Sequence, residues 1–204
     1  MDFKEHLERT WKIFTAFLPQ LLLTTLGLIG ISIITLGILA PVATAGYMHS
    51  LLLALREERK PEIGDLFSQM RLFLPLLGFS LAAGIALLVG FALLVLPGII
   101  MVLALVFFCL YMIPLMTDRE MGLIEAVKES GRMALEEPVA EQVAVVALYI
   151  AISAVGQSFI LTALFTQPFA TLFILTVYER KAAPGKLPPA REASGSPPPS
   201  RQQG

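Results

Sequence analysis

Few residues in this sequence are of a type and spacing that could do chemistry. His49, in Gly46-Tyr47-Met48-His49-Ser50, is a histidine inside a long uncharged stretch. A single imidazole cannot hold a metal, and no second ligand is spaced to help it. A hydrogen bond between helices is its expected role. Cys109, the one cysteine, cannot form an intrachain disulfide. It lies in the apolar run Leu105–Tyr111 and reads as a small buried hydrophobe. Ser153, Gln157, Ser158, Thr162, Thr166 and Gln167 form a polar group that could line a path or face water. Facing water is the expectation. There is no Gly-x-Ser-x-Gly, no His-Glu-x-x-His and no phosphate loop. The sequence therefore names no catalytic residue, no cofactor-binding residue and no metal ligand, and it argues against an enzyme.

The elements that would position these residues follow from the charge map. Ile13–Leu55, Leu72–Thr117 and Gln142–Tyr178 contain no Asp, Glu, Lys or Arg over 43, 46 and 37 residues. Of the whole chain, 56% is hydrophobic and only 15% charged, whereas soluble domains carry about 25% charged residues. One helical span takes about 20 apolar residues, so each stretch is about two spans long. Sinking Arg56-Glu57-Glu58-Arg59-Lys60 into lipid would cost about 3 kcal/mol per charge, so that cluster must reach water. The absence of intramembrane charge also weighs against an ion-coupled carrier. A net charge of −1 offers no basic surface for nucleic acid.

Turn-forming residues divide the stretches: Gly37 and Pro41, Leu96-Pro97-Gly98, and Gly156-Gln157. The reading is all-α: a polytopic transmembrane bundle of six spans in three hairpins, at 14–36, 39–55, 72–96, 98–117, 140–157 and 160–178. All three tips are then uncharged, and every charged segment falls on one face. Lys and Arg mark the cytoplasmic side, so Lys4, Arg9, Arg56, Arg71, Arg119, Lys128 and Lys181 would be inside, with both termini, in a cell inner membrane. Five spans is the competing count. Val42–Leu55 is only 14 residues, about 21 Å of helix, and could be a half-crossing. Ala43-Thr44-Ala45 is not expected to be a signal-peptide cleavage site, because the apolar run before it is too long.

At the water boundary, Phe3, Leu7, Trp11 and Phe14 share a helical face, and Trp11 beside Lys12 suits an interfacial anchor. Residues 57–71 read as a turn and a short amphipathic helix carrying Ile63, Leu66, Phe67 and Met70. Residues 118–137 read as a longer one burying Leu123, Ile124, Val127, Ala134 and Leu135. Both are expected to cap the bundle or lie in the interface. Small-residue stripes at Gly78, Ala82, Ala86 and Gly90, and at Ala140, Ala144, Ala147, Ala151 and Ala154, are expected to face other helices. Pro19, Pro75, Pro114 and Pro168 are expected to kink spans. Residues 1–181 form the membrane domain; 182–204, rich in Pro, Ser and Gly, form a disordered tail.

Several of these residues stand in a familiar order. Pro41-x-x-x-x-Gly46 precedes a charged turn, and Leu96-Pro97-Gly98-Ile99 opens a span. Pro114-Leu115-x-x-Asp118 closes that span, and Glu125-Ala126-Val127-Lys128-Glu129-Ser130 follows. Ala170 precedes Tyr178. The ensemble, over about residues 10–180, resembles a broad group of bacterial multi-span proteins of unknown function. It is similar to the membrane domain fused to some glycerophosphoryl diester phosphodiesterases. The resemblance implies six membrane helices and no established catalytic residues; without the phosphodiesterase domain, that activity does not carry over. The expectation is a non-enzymatic scaffold, accessory or regulatory protein, with a transporter or lipid-handling protein as the alternative. Its partners are the lipid bilayer and proteins at the cytoplasmic face. The sequence fixes no oligomeric state.

Overall fold

The computed structural model describes residues 3–93, 95–136, 139–156 and 160–182. Among them the chain is all-helical. The helices are α1 (Phe3–Ala16), α2 (Leu18–Ile34), α3 (Ala40–Glu57), α4 (Phe73–Leu93), α5 (Val95–Cys109), α6 (Met112–Asp118), α7 (Leu123–Glu136), α8 (Val139–Gly156) and α9 (Ile160–Lys181). Short 3-10 turns cover Ile63–Phe67 and Met70–Leu72.

Two helical runs, Ile63–Ala92 and Val95–Asp118, are long and apolar enough to cross a membrane. The count rises to four if each bent pair, His6–Ala16 with Leu18–Ile34 (86°) and Leu123–Leu135 with Val139–Ala154 (112°), is one broken span. This is fewer than the six expected from the charge map. The shortfall has a physical cause. α3 has the length, but Tyr47, His49, Ser50, Arg56 and Glu57 dilute it, whereas α9 carries no charge from Ile160 to Val177. These two helices also form the core. α3 packs on α2, α4, α6 and α9, and Tyr47, Leu51, Leu172, Phe173 and Tyr178 are fully buried. A helix sheltered by its neighbours can carry polar side chains that a lipid-facing one cannot. Tyr47 and Thr25, both buried, share a hydrogen bond of 2.9 Å between α3 and α2.

The expected boundaries shift where prolines act. Pro19, Pro41, Pro75, Pro97 and Pro114 all fall in the first turn of a helix, where the missing N–H has no intrahelical partner to lose. Among the described residues only Pro168 lies deep inside one. The expected span 98–117 is accordingly two helices. Pro114 would leave the Leu110 carbonyl without its donor if α5 ran on unbroken. The chain breaks there, and Ser130 of α7 fills the gap. Its hydroxyl donates to the Phe108 carbonyl (2.6 Å) and accepts from the Tyr111 N–H (3.2 Å).

Gly46 is the closest backbone approach in the bundle. A Cβ there would collide with the carbonyl oxygens of Asp65 and Leu66, so α3 can seat the 63–67 turn only with glycine at this point. The expected amphipathic helix over 57–71 is replaced by those two tight turns. Of its apolar set only Leu66 is buried, while Ile63, Phe67 and Met70 are exposed.

Other expectations are corrected. Gly78, Ala82 and Ala86 are exposed, and only Gly90 of that stripe is buried, where α4 meets Gly98 of α5. Ala140, Ala147, Ala151 and Ala154 are also exposed; Gln142, Val145 and Val146 make the inner face of α8 instead. α7 buries Ala126, Ser130, Met133 and Ala134, leaving Ile124 and Leu135 outside. Small residues mark where close packing could occur, but bulkier neighbours decided which face turns inward. In α1, Thr10 and Phe14 turn inward with His6 and Trp11 stays exposed. The tail from 183 onward lies outside the described residues.

Candidate functional site

The chain's concentrated polar chemistry lies where α1, α3, α6 and α9 meet. Arg56, in the last turn of α3, presents a planar fork of donors. Its two terminal nitrogens reach both oxygens of Asp118 at the end of α6, one at 3.0 Å. Its Nε donates to Glu179 Oε1 on α9 at 2.9 Å. Arg9 of α1 takes the other Glu179 oxygen at 3.0 Å. The Tyr178 hydroxyl donates to Asp118 Oδ2 at 2.9 Å. Asp118 and Glu179 are only 12% and 14% exposed, so both carboxylates depend on these donors. Four segments far apart in sequence are thereby tied at one end of the bundle.

Two satellites adjoin this network. Asp65 accepts from Ser50 Oγ (2.6 Å), Arg59 (2.7 Å) and the Glu62 N–H (3.2 Å). Asp65 lies in the turn ahead of α4. Burial pushes its carboxyl up, but these three donors outweigh burial and hold it below the usual carboxylate range. On the far side, Lys181 is buried, not in open water as expected. Its ammonium donates to the Met133 carbonyl (3.0 Å) and Gln142 Oε1 (2.8 Å), and lies 5.1 Å from the centre of the Tyr111 ring. The Tyr111 hydroxyl donates to the same Gln142 oxygen at 3.1 Å.

Chemically, the network holds parts together. Each of its carboxylates is engaged by an arginine. No group of three His, Cys, Asp or Glu among the described residues could hold a metal. His49 sits half-buried on α3, and its Nδ1 has no hydrogen-bond partner; the expected helix-to-helix bond is not made at that atom. Cys109 is half-buried and lines a cavity inside the bundle. Of the polar group at the third tip, Gln157 and Ser158 lie outside the described residues. Thr166 donates to the Thr162 carbonyl of its own helix (3.0 Å). Gln167 does not simply face water: it lines cavities on two sides of α9.

No family model, no curated protein and no solved structure matches this chain.

The charge map located Arg56, Asp118 and Glu179 at the ends of uncharged stretches but treated them as solvated. Their signal was positional. Each is the first charge after an apolar run, where a side chain can be drawn back against the bundle.

Proposed function

We propose that this is a multi-pass inner-membrane protein that acts as a non-enzymatic scaffold, accessory or regulatory subunit. In this reading its three hairpins make six crossings, with both termini and the ion-paired end on the cytoplasmic side. The observation that carries it is the network of Arg9, Arg56, Asp118, Tyr178 and Glu179. It gathers charged segments from four helices onto one end and leaves their charges satisfied by one another. A rigid polar platform beside the amphipathic α7, with Lys128 and Ile124 exposed on it, is suited to docking a protein. The resemblance to the membrane domain of some glycerophosphoryl diester phosphodiesterases, read from short motifs alone, is part of the same proposal and adds no separate support. In this reading α3 and α9 are crossings whose polar residues are sheltered by their neighbours.

A photoreactive side chain at Lys128 or Ile124 should trap a discrete protein in native membranes, while one at Leu88 on α4 should not. Identical patterns at the three positions would contradict the platform. The lipid-handling alternative is favoured by a separate feature, the paired cavities beside Gln167.

A further inference from the structure

Two cavities share a wall. One, of about 300 Å³, lies between α3, α4, α5, α6, α8 and α9. The other, of about 370 Å³, lies between α2, α3 and α9. Thr44 of α3 and Gln167 of α9 line both. They form a polar waist between two half-open, mostly apolar clefts, whose walls include Met48, Phe79, Leu28 and Ile33.

The waist differs in its hydrogen bonding from the threonines around it. The hydroxyls of Thr24, Thr25, Thr166, Thr171 and Thr176 each donate to a carbonyl of their own helix. The Thr44 hydroxyl and the Gln167 side-chain amide make no hydrogen bond with any described residue. An amide has two donors and an acceptor to satisfy, and leaving them unmet in apolar surroundings is costly. Among the described residues, no Asp, Glu, Lys, Arg or His lines either cavity. A charged head would therefore enter without a counter-ion, whereas a neutral hydroxyl could both donate to the Gln167 carbonyl oxygen and accept from its nitrogen. The outer wall comes from α4 and α5, whose other faces are bare and apolar.

We propose that the Thr44–Gln167 waist binds a neutral single-chain lipid. Its hydroxyl-bearing head lies at Gln167 and its chain in the cavity against Phe79 and Met48. This rests on the membrane-spanning reading but not on the scaffold role.

The test uses the full chain in native membranes and a monoacylglycerol whose acyl chain carries a photoreactive, clickable group. A fatty acid with the same chain serves as the charged control. The monoacylglycerol should label peptides from α3 and α9, and excess unlabelled monooleoylglycerol should compete it away. The fatty acid should label at least about tenfold less, and Gln167→Leu should lower monoacylglycerol labelling by a similar factor. Ala83→Phe, which fills the cleft and leaves Gln167 in place, should block labelling as well. Equal labelling by the two probes in the wild-type chain would overturn the site. So would labelling confined to α4 and α5 that excess lipid does not displace. An alkaline carbonate wash of the same membranes separates the two readings: release of the chain would overturn the membrane reading and this site with it, whereas retention with uncompeted labelling overturns the site alone.

Discussion

The ion-paired end and the α4–α5 pair are opposite solutions to placing a helix. At the first, Arg56, Asp118, Glu179 and Arg9 come from distant parts of the chain and are drawn together, with the two carboxylates largely out of solvent. At the second, α4 and α5 are neighbours in sequence and pack chiefly on each other. Leu74, Leu81, Leu88, Val95 and Leu96 stand 65–76% exposed. The first region is held by directional bonds and tolerates little change. The second needs only an apolar environment and should tolerate nearly any apolar residue. Lipid is as good a partner for those leucines as protein is.

That contrast can be broken at single residues. The largest effect is expected at Gly46. Gly46→Ala puts a Cβ into the Asp65 and Leu66 carbonyls. Backbone on both sides cannot yield as a side chain would, so the loss should be about 3 kcal/mol or more. Gly84→Ala on α4 meets nothing within 4 Å and should leave the thermal midpoint unchanged. Comparing thermal aggregation of the two variants in one detergent checks this directly. Next comes Leu88→Lys, which should cost about 3 kcal/mol of insertion if α4 crosses lipid, read as a lowered membrane-integrated fraction. Full integration of that variant would remove α4 from the bilayer.

Arg56→Ala leaves Asp118 and Glu179 short of their main donor and should cost about 2 kcal/mol, less than a fully buried pair because Arg56 is 38% exposed. Arg71→Ala breaks only the exposed pair with Glu120 and should cost under about 1 kcal/mol. Equal destabilisation of the two variants would contradict the distinction between the sheltered network and the surface. The smallest effect concerns acid. Asp65 is held below its unfolded value, so its contribution is present above that value and lost as pH falls through the lower folded one. Asp65→Asn should therefore be less stable than wild type at neutral pH, with the gap closing in acid.

Much of the frame was legible in the sequence. Long uncharged stretches announce apolar helices because a charge in lipid is expensive. Helices α2, α3, α8 and α9 fall close to the ranges that rule gives. What was not legible depends on which face turns inward. The Gly78–Ala82–Ala86 stripe satisfies every local condition for close packing, yet it is exposed because α4 meets only α5 and the edge of α3. Gly46 stands out in the sequence only as the end of Pro41-x-x-x-x-Gly46, since its need for glycine comes from a turn twenty residues later. Lys181 looked like a solvated terminal charge, but α9 runs past its apolar segment and inserts the ammonium beneath Tyr111. Gln167 belonged to a polar group that hydropathy assigns to water. Only the crossing of α9 with α3 shows it beside Thr44.

The central claim is that every charged segment lies on the cytoplasmic face of a multi-pass bundle. Single cysteines at Ile34, Leu96, Arg59 and Lys128, in a Cys109→Ala background, test it with a membrane-impermeant maleimide on intact cells. Ile34→Cys and Leu96→Cys should label from outside, and Arg59→Cys and Lys128→Cys only after the membrane is opened. Labelling of Arg59→Cys or Lys128→Cys in intact cells would contradict the account.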